Sequence, residues 1–292
     1  MKRTWLIFGG NGWIGSMVSK LLLDDNEIIY IAKSRIDNVE EVKKELEEIK
    51  PTHVISWVGR TFGEGYNTID YLEQPGKLVD NIRDNLFSII TLAKLSETYN
   101  FHLTSGGTGC IFEYDVDHPN TVDATEFTEE DLPNFFGSSY SIVKGFTDRL
   151  LHLYPKVLNV RIRMPIDNKM GSRNFITKIV NYPKIHSLEN SMSVLPDLLP
   201  LMVDMAKQNV GGTVNLTNPG KIAHNEILEM YRELVDPDHT WENVVSVDGL
   251  VAAKRSNNCL DTNLLSTLYP GILPIREAVR RCLLKIAADK NS

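Results

Sequence analysis

Short apolar runs alternate with amphipathic stretches through the first 165 residues. The apolar runs predict β-strands at residues 4–8, 27–32, 52–58, 101–104 and 157–164. The stretches between them place apolar residues at helical spacing, which predicts helices at 12–24, 38–50, 77–99 and 140–154. Because strands and helices alternate, the pattern indicates an α/β fold with a doubly wound parallel sheet covered by helices on both faces.

The pattern changes after Pro165, where prolines separate shorter elements. These elements are expected to be helices at 174–181, 197–208, 224–235 and 275–288, with a further strand at 213–218. We therefore expect a first domain over residues 1–165 and a smaller, mixed α/β substrate domain, mainly residues 166–292. The strand at 213–218 is expected to return to the sheet of the first domain.

Composition and charge exclude several classes of protein. The chain has 292 residues and a net charge of −7, with no block of Lys and Arg that could follow a nucleic-acid backbone. No stretch approaches the roughly 18 apolar residues of a transmembrane helix. The three cysteines, Cys110, Cys259 and Cys282, are too few and too scattered for a disulfide framework or a zinc site. We expect a soluble, cytoplasmic protein that binds no metal, nucleic acid or membrane.

A glycine-rich loop follows the first predicted strand and begins the first helix. Glycines at positions 9, 12 and 15 allow backbone N–H groups to approach a pyrophosphate, whose charge also suits the amino end of a helix. A tight turn without a ligand is the alternative. The residues expected to bind a dinucleotide are Gly9, Asn11, Gly12, Trp13, Ile14 and Gly15.

The end of the second strand bears on the choice of cofactor. An acidic residue there would bind the 2′-hydroxyl of NAD, but this chain has Lys33, Ser34 and Arg35. Two cations and a hydroxyl suit a 2′-phosphate better, which predicts NADPH as the cofactor. The alternative is that Lys33 and Arg35 are solvated surface charges.

A tyrosine and a lysine are spaced one helical turn apart, at Tyr140 and Lys144. A lysine ammonium beside a phenol lowers the phenol's pKa and steadies a nicotinamide ribose, so Tyr140 could give a proton to a carbonyl oxygen during reduction. Thr108, after the fourth strand, is expected to share that oxygen. Together with the glycine loop, this pattern is typical of a carbonyl reductase.

Several motifs resemble the extended short-chain dehydrogenase/reductases: GGNGWIG, SWVG, TGCIF, YSIVK and RSNNCLD. Longer segments, including GTGCIFEY, LPNFFGSSYSIVK, RNFITKI and HNEILEMY, are similar to bifunctional nucleotide-sugar 3,5-epimerase/4-reductases over nearly all of the chain. The resemblance implies a Rossmann-type fold and NADPH-dependent conversion of UDP-4-keto-6-deoxyglucose to UDP-L-rhamnose. It also implies a homodimer through helices 77–99 and 140–154. No dehydratase sequence precedes this segment, so the keto sugar is expected from a separate 4,6-dehydratase.

Epimerisation gives Cys110 a chemical role. Carbons 3 and 5 of a 4-keto sugar have acidified C–H bonds, and a base that removes such a proton leaves an enolate at the oxygen held by Tyr140 and Thr108. If the chain stays extended, Cys110 faces the same side as Thr108. A nearby ammonium stabilises a thiolate, and related GDP-fucose synthases resemble this chain in having cysteine at this spacing. The alternative is that Cys110 is a packing residue.

The acid that returns the proton has two candidates, Lys178 and, less strongly, His186. Lys178 could instead contact a phosphate or be an exposed helix charge. By resemblance, the nucleotide diphosphate is expected to contact Asn174, Lys184, Arg255 and the loop at residues 190–194.

By the same resemblance, Asn85 is expected to brace the active-site backbone. Two alternative functions stay open. One is a single-function dTDP-4-dehydrorhamnose reductase, which would need no cysteine at position 110. The other is a non-catalytic NADP-binding regulatory subunit, although such proteins usually lose the tyrosine or the lysine.

Overall fold

A computed structural model describes residues 3–246 and 251–290 and contains a six-stranded parallel sheet. Its strands are β1 (Thr4–Phe8), β2 (Ile28–Ile31), β3 (His53–Ser56), β4 (His102–Thr108), β5 (Leu158–Ile162) and β8 (Gly212–Asn215). The order β2-β1-β3-β4-β5-β8 is that of a doubly wound sheet, as the sequence predicts. The fourth strand is longer than predicted, because it continues through both glycines to Thr108.

Helices cover the sheet and continue into the second half of the chain. They are α1 (Trp13–Asp24), α2 (Val39–Ile49), α3 (Leu78–Ile82), α4 (Ser88–Tyr99), α5 (Ser139–Leu151), α6 (Phe175–Val180), α7 (Leu195–Lys207), α8 (His224–Leu234), α9 (Asn263–Leu268) and α10 (Ile275–Lys290). A π-helical turn at Arg83–Phe87 joins α3 to α4, so the predicted helix at 77–99 is one element with a widened turn. A 3₁₀ helix, Ile69–Glu73, precedes it.

Several apolar clusters hold the helices against the sheet and against one another. The first packs α1 and α7 against one face of the sheet, with Val18 and Leu199 beside Ile7 of β1. The second joins α6, α8 and α10 through residues such as Ile227 and Val279. Short strand pairs complete the second half: β6 (Lys184–Ile185) with β10 (Glu242–Asn243), and β7 (Glu189–Asn190) with β9 (Ile222–Ala223).

The second half returns both α7 and β8 to the sheet, whereas the sequence predicts only the strand. The domain boundary at residue 165 stays a prediction. Within the described residues, no helix is both long and apolar enough to cross a membrane.

The parallel arrangement brings the carboxyl ends of the strands to one edge of the sheet. Phe8, Ser56, Thr108 and Ile162 end their strands there. The strand order reverses between β1 and β3, and ligands of such sheets bind at that position. The fold therefore predicts a binding site formed by the loops that follow β1, β3, β4 and β5.

Because His53 is buried in its neutral form, we expect the stability of the fold to fall at acidic pH. His53 on β3 lies beside His102 on β4, with ring centroids 5.7 Å apart. Burial, together with the charges of His102 and Arg3, lowers the pKa of His53 to about 4. The same residue in an unfolded chain titrates near pH 6.5. The unfolded chain therefore binds this proton first, and stability is lost as the pH falls from 6.5 towards 4.

Urea unfolding of the parent protein and His53→Gln at about pH 7.5 and about pH 5.5 tests this linkage. The free energy of unfolding should fall more between the two pH values in the parent than in the variant. The measurement at the higher pH is the control for packing, since the histidine is neutral there in both states. An equal fall in both proteins would contradict the prediction.

Candidate active site

The glycine loop forms a tight turn between β1 and α1. Gly9 has a positive φ of 74°, and its carbonyl accepts a hydrogen bond from the Gly12 N–H at 2.9 Å. A Cβ at Gly15 would lie 2.1 Å from the Gly9 oxygen, so no larger residue fits there. Gly12 is the N-cap of α1, a helix of twelve residues, and the amino end of a helix attracts negative charge.

A cavity of about 470 Å³ extends from this loop across the carboxyl edge of the sheet. Glycines at 59, 106 and 107 also line it, so much of its wall is backbone that an extended dinucleotide could contact closely. The residues of the predicted site that line it are Gly9, Gly12, Trp13, Ile14, Gly15, Thr108, Cys110, Tyr140, Lys144 and Lys178. The cavity thus fits a dinucleotide and joins the predicted cofactor loop to the predicted catalytic residues. Asn11 is exposed and does not line it.

A neighbouring cavity of about 300 Å³ lies beside the end of β2 and has Ser34, Arg35 and Arg60 in its wall. Arg35 donates two hydrogen bonds to Asp37, at 3.1 and 3.0 Å. The Ser34 hydroxyl donates to Glu45. This cavity is the position where a 2′-phosphate could meet the cations predicted for it.

Lys33 and Arg60 differ from expectation. The Lys33 side chain is exposed and lies outside the lining of both cavities, because this part of the chain is held through its backbone N–H, which donates to Glu45 at 2.8 Å. Arg60 is a cation that sequence patterns missed; it donates to Asp84 at 2.6 Å. The SWVG motif immediately precedes Arg60 and was the available signal.

Burial controls the protonation of the tyrosine–lysine pair. Burial lowers the pKa of Lys144 to about 8, opposed by Asp148, and its Nζ donates to the Gly106 carbonyl at 3.2 Å. Burial and the nearby Cys110 raise the pKa of Tyr140, while a hydrogen bond with Thr108 lowers it. The sequence predicts that Lys144 lowers the pKa of Tyr140, whereas this pKa is raised overall and Lys144 is not among the groups that shift it. The phenol keeps its proton and is a proton donor.

Cys110 reaches the cavity through a turn and not through an extended strand. β4 ends at Thr108, whose hydroxyl oxygen accepts the Cys110 N–H at 3.1 Å. The chain then turns at 109–111. The assumption of an extended segment is wrong, yet the thiol side still lines the cavity beside Tyr140. Cys110 is partly exposed, whereas Cys259 and Cys282 are buried.

Lys178 lies on α6 and lines the same cavity. Burial lowers its pKa, as do the positive charges of Arg173 and Arg255. Within residues 3–246 and 251–290 it has no carboxylate partner. An ammonium in this environment gives up its proton more readily than a solvated lysine. His186 lines a second cavity, which contains Cys110 and Tyr140 but not Lys178.

That further cavity, of about 580 Å³, shares Cys110, Tyr140 and Phe175 with the first. Lys184, His186 and Arg255 line its outer part, as do the previously unpredicted Tyr182 and Lys254. Arg255 is paired with Asp70 and also donates to the Ala253 carbonyl at 2.9 Å. Lys184 lies 3.6 Å from Glu242. A ligand that extends from this cavity can place its end beside Cys110 and Tyr140.

Two segments that are expected to contact the nucleotide are buried and make internal hydrogen bonds. The Asn174 side chain is buried, where it caps α6 through the Ile176 N–H and donates to the carbonyls of Asp167 and Lys169. It lines neither cavity. The loop at 190–194 is also buried, and its polar side chains bond to neighbouring segments. These polar residues satisfy backbone groups, which explains why they resemble ligand contacts in sequence.

Asn85 has the bracing role that the sequence predicts. It lies in the π-helical turn, and its amide exchanges two hydrogen bonds of 2.9 Å with the Arg60 backbone. Its own carbonyl accepts from Thr147 on α5 at 2.7 Å. The widened turn thus ties the loop after β3 to the helix that carries Tyr140. Such turns are frequent at functional sites.

No protein-family model matches this sequence. A bifunctional dTDP-4-dehydrorhamnose 3,5-epimerase/dTDP-4-dehydrorhamnose reductase of Arabidopsis thaliana is 40% identical over 98% of this chain and 93% of its own length. This chain belongs to the bifunctional epimerase/reductase family. The uncharacterized protein L780 of Acanthamoeba polyphaga mimivirus is 51% identical over 97% of this chain and 98% of its own. The family resemblance seen in the sequence motifs is confirmed.

Solved structures agree with this membership. The crystal structure of the L780 UDP-rhamnose synthase superposes on this epimerase/reductase with a TM-score of 0.94, at 50% identity, covering 98% of this chain and 100% of that one. A dTDP-4-dehydrorhamnose reductase from Bacillus anthracis, solved in complex with NADP, has a TM-score of 0.80 at 19% identity, covering 98% and 100%. The second likeness shows the fold alone.

Replacing Arg35 by Gln tests the position of the 2′-phosphate. We expect NADPH to bind about tenfold more weakly, because a charge-assisted hydrogen bond contributes about 1.5 kcal/mol. Binding of NADH should change little, since it lacks that phosphate. Lys33→Gln is the matched control and should leave both affinities unchanged. Calorimetric titration measures the affinities of the parent and of each variant for NADPH and NADH. Equal losses of affinity for the two cofactors in Arg35→Gln would contradict the assignment.

Proposed function

We propose that this protein is a bifunctional 3,5-epimerase and NADPH-dependent 4-keto reductase that converts UDP-4-keto-6-deoxyglucose to UDP-L-rhamnose. The observation that carries the proposal is the convergence of Thr108, Cys110, Tyr140 and Lys178 on one cavity. A reductase requires the first and third of these, whereas an epimerase requires a base and an acid as well. The names of the relatives, which combine epimerase with reductase, support the same conclusion.

In the epimerisation, the Cys110 thiolate takes the proton from carbon 3 or carbon 5. The C–H electrons move to the carbonyl oxygen, and Tyr140 and Thr108 stabilise the enolate by hydrogen bonding to that oxygen. Lys178 as ammonium then returns a proton with inverted configuration. Burial supports this role, because it lowers the pKa of Lys178. Solvent exchange afterwards restores both groups.

In the reductase half-reaction, Tyr140 gives its proton to the oxygen at carbon 4. NADPH, when bound, supplies the hydride to that carbon. Lys144 is buried beneath the cavity and held on the Gly106 carbonyl, from which it can orient a ribose. One oxyanion site therefore serves both the epimerisation and the reduction. This shared site explains why a single cavity holds the residues for both reactions.

The nucleotide part of the substrate is assigned to the cavity lined by Lys184 and Arg255. A guanidinium offers a fork of donors to a diphosphate, and Arg255 would exchange Asp70 for it. We assign UDP as the nucleotide, on the likeness to the L780 UDP-rhamnose synthase.

The keto sugar is proposed to come from a 4,6-dehydratase. Trifunctional relatives of Arabidopsis thaliana have a UDP-glucose 4,6-dehydratase in their name, and this chain matches 42% of the length of one of them at 39% identity. We propose that a separate dehydratase supplies the substrate here, in the cytoplasm.

Incubation with UDP-4-keto-6-deoxyglucose and NADPH in heavy water tests the bifunctional assignment. The parent should give UDP-rhamnose with two carbon-bound deuterium atoms. Cys110→Ser and Lys178→Met should each slow deuterium incorporation by about 100-fold, the scale of a lost general base or acid. Both variants should still reduce UDP-4-keto-L-rhamnose, which is the control for folding and cofactor binding. Reduction by the parent without deuterium on carbon would indicate a single-function reductase.

A homodimer is proposed through two neighbouring helices that expose apolar side chains. One runs from α3 through the π-helical turn into α4, and the other is α5. The exposed apolar side chains are Leu78, Val79, Ile82, Phe87, Phe146 and Leu150. Contiguous apolar surface of this kind marks a protein interface. Two such helices from each copy would bury the surface symmetrically.

Phe146→Asp should convert the dimer to a monomer, because a carboxylate is costly to bury in an apolar interface. Leu23→Asp is the matched control: Leu23 is 57% exposed and Phe146 60%, but Leu23 lies on α1, outside the proposed interface. Light scattering after size exclusion measures the mass. A monomeric parent, or a dimeric Phe146→Asp variant, would contradict the proposal.

A further inference from the structure

Arg163 is a buried cation whose charge has no acidic partner. The residue follows β5 and is 1% exposed. Its guanidinium donates to the Gly109 carbonyl at 3.2 Å, to the Ser256 hydroxyl at 3.0 Å and to the Ser256 carbonyl at 3.1 Å, and to Asn190. None of these is a carboxylate, and in the described part of the chain no Asp or Glu forms an ion pair with it. The Nε–H has no partner there either. An unpaired buried charge is costly, so its retention needs a reason.

The reason lies in the residue that follows Gly109. A Cβ at Gly109 would be 2.9 Å from the Arg163 Cγ, so Arg163 packs directly under the turn that carries Cys110. Burial lowers the pKa of Arg163. Negative charge on Cys110, and likewise on Tyr114 or Cys259, opposes this shift. The guanidinium donates to the Gly109 carbonyl, so its charge lies against the backbone of the residue that immediately precedes Cys110.

Two neutral residues complete the contacts of this turn. The Asn258 amide donates to the carbonyls of Gly109 and Phe112, at 2.9 and 2.8 Å. The Ser256 hydroxyl donates to the Phe112 carbonyl at 2.6 Å and accepts from Arg163. The turn is thus held at both ends by the segment at 256–258, and Arg163 adds the charge. The motif RSNNCLD, predicted to bind the nucleotide through Arg255, also has this second role.

We propose that Arg163 is a positioning residue for epimerisation: it fixes the Cys110 turn through the Gly109 carbonyl and stabilises the thiolate with its buried charge. The inference rests on the proposed function of Cys110 as the base. Arg163 lines neither cavity that holds the site, so it acts through Cys110 and not on the substrate. All the other titratable groups that line a cavity together with Cys110 stay unchanged in the test. They are Tyr140 and Lys144 on α5, Lys178 on α6, His224 on α8, and Asp70, Arg173, Tyr182, Lys184, His186, Lys254 and Arg255.

Alkylation by iodoacetamide measures the thiolate independently of catalysis. Cys259 and Cys282 are buried, so the reaction in the native protein reports Cys110, and Cys110→Ser gives the background. In Arg163→Gln the midpoint of the rate against pH should rise by about one unit, as expected when an opposite charge is removed. In Arg163→Lys, which keeps the charge, the midpoint should stay near that of the parent.

Activity separates positioning from general damage. Arg163→Gln should incorporate deuterium from heavy water about tenfold more slowly, since a one-unit shift lowers the thiolate fraction by that factor. Reduction of UDP-4-keto-L-rhamnose should stay within about twofold of the parent, because Tyr140 and Lys144 are unaffected. A folded Arg163→Gln variant with the parent's alkylation profile and deuterium incorporation would overturn the proposal.

Ser256→Ala covers the case in which Arg163→Gln does not fold, as judged by loss of NADPH binding. It removes one link of the turn and keeps the charge, so deuterium incorporation should slow while the alkylation midpoint stays in place. Unchanged incorporation in that variant would overturn the positioning role. If the parent itself incorporates no deuterium, the proposed epimerase function fails, and the alkylation profiles alone then decide whether Arg163 stabilises the thiolate.

Discussion

The Asn258 amide holds two carbonyls of one turn, those of Gly109 and Phe112, and the position of Cys110 depends on this clamp. The parallel sheet alone brings Thr108 to the carboxyl edge, but the chain must then turn for the thiol to face the cavity. The clamping residue lies 149 positions after Gly109. The reactive geometry therefore forms only when the last part of the chain has folded onto the sheet.

Burial shifts the pKa of three ionisable side chains that line the site. It raises the pKa of Tyr140, so the phenol keeps the proton that reduction needs. It lowers the pKa of Lys178, so this ammonium releases its proton more easily. It also lowers the pKa of Lys144 to about 8, although Asp148 opposes this shift. A single physical cause, removal of water from the cavity wall, thus moves a phenol and two amines towards their neutral forms.

The sequence was sufficient for the sheet and most helices, because their buried positions repeat with regular periods. The sequence also predicted that Tyr140, Lys144 and Cys110 share one site. It did not predict the turn at Cys110, because this turn depends on hydrogen bonds to residues far away in the chain. The capping role of Asn174 was not apparent, because a polar side chain that caps a helix and one that binds a phosphate look alike in sequence. Arg60 and Arg163 were missed for the converse reason: each owes its role to contacts across the fold.

The cations at the two ends of the site share one arrangement. Arg35 is paired with Asp37, and Arg255 is paired with Asp70. Each ion pair holds its guanidinium in a defined direction. An ion pair near the surface contributes only about 0.2–1 kcal/mol, so little free energy is lost when a ligand breaks it. A bidentate contact with a phosphate is stronger and can replace it. Asp37 and Asp70 can therefore orient the cations and still be displaced from them by the phosphate groups that the proposed function places there.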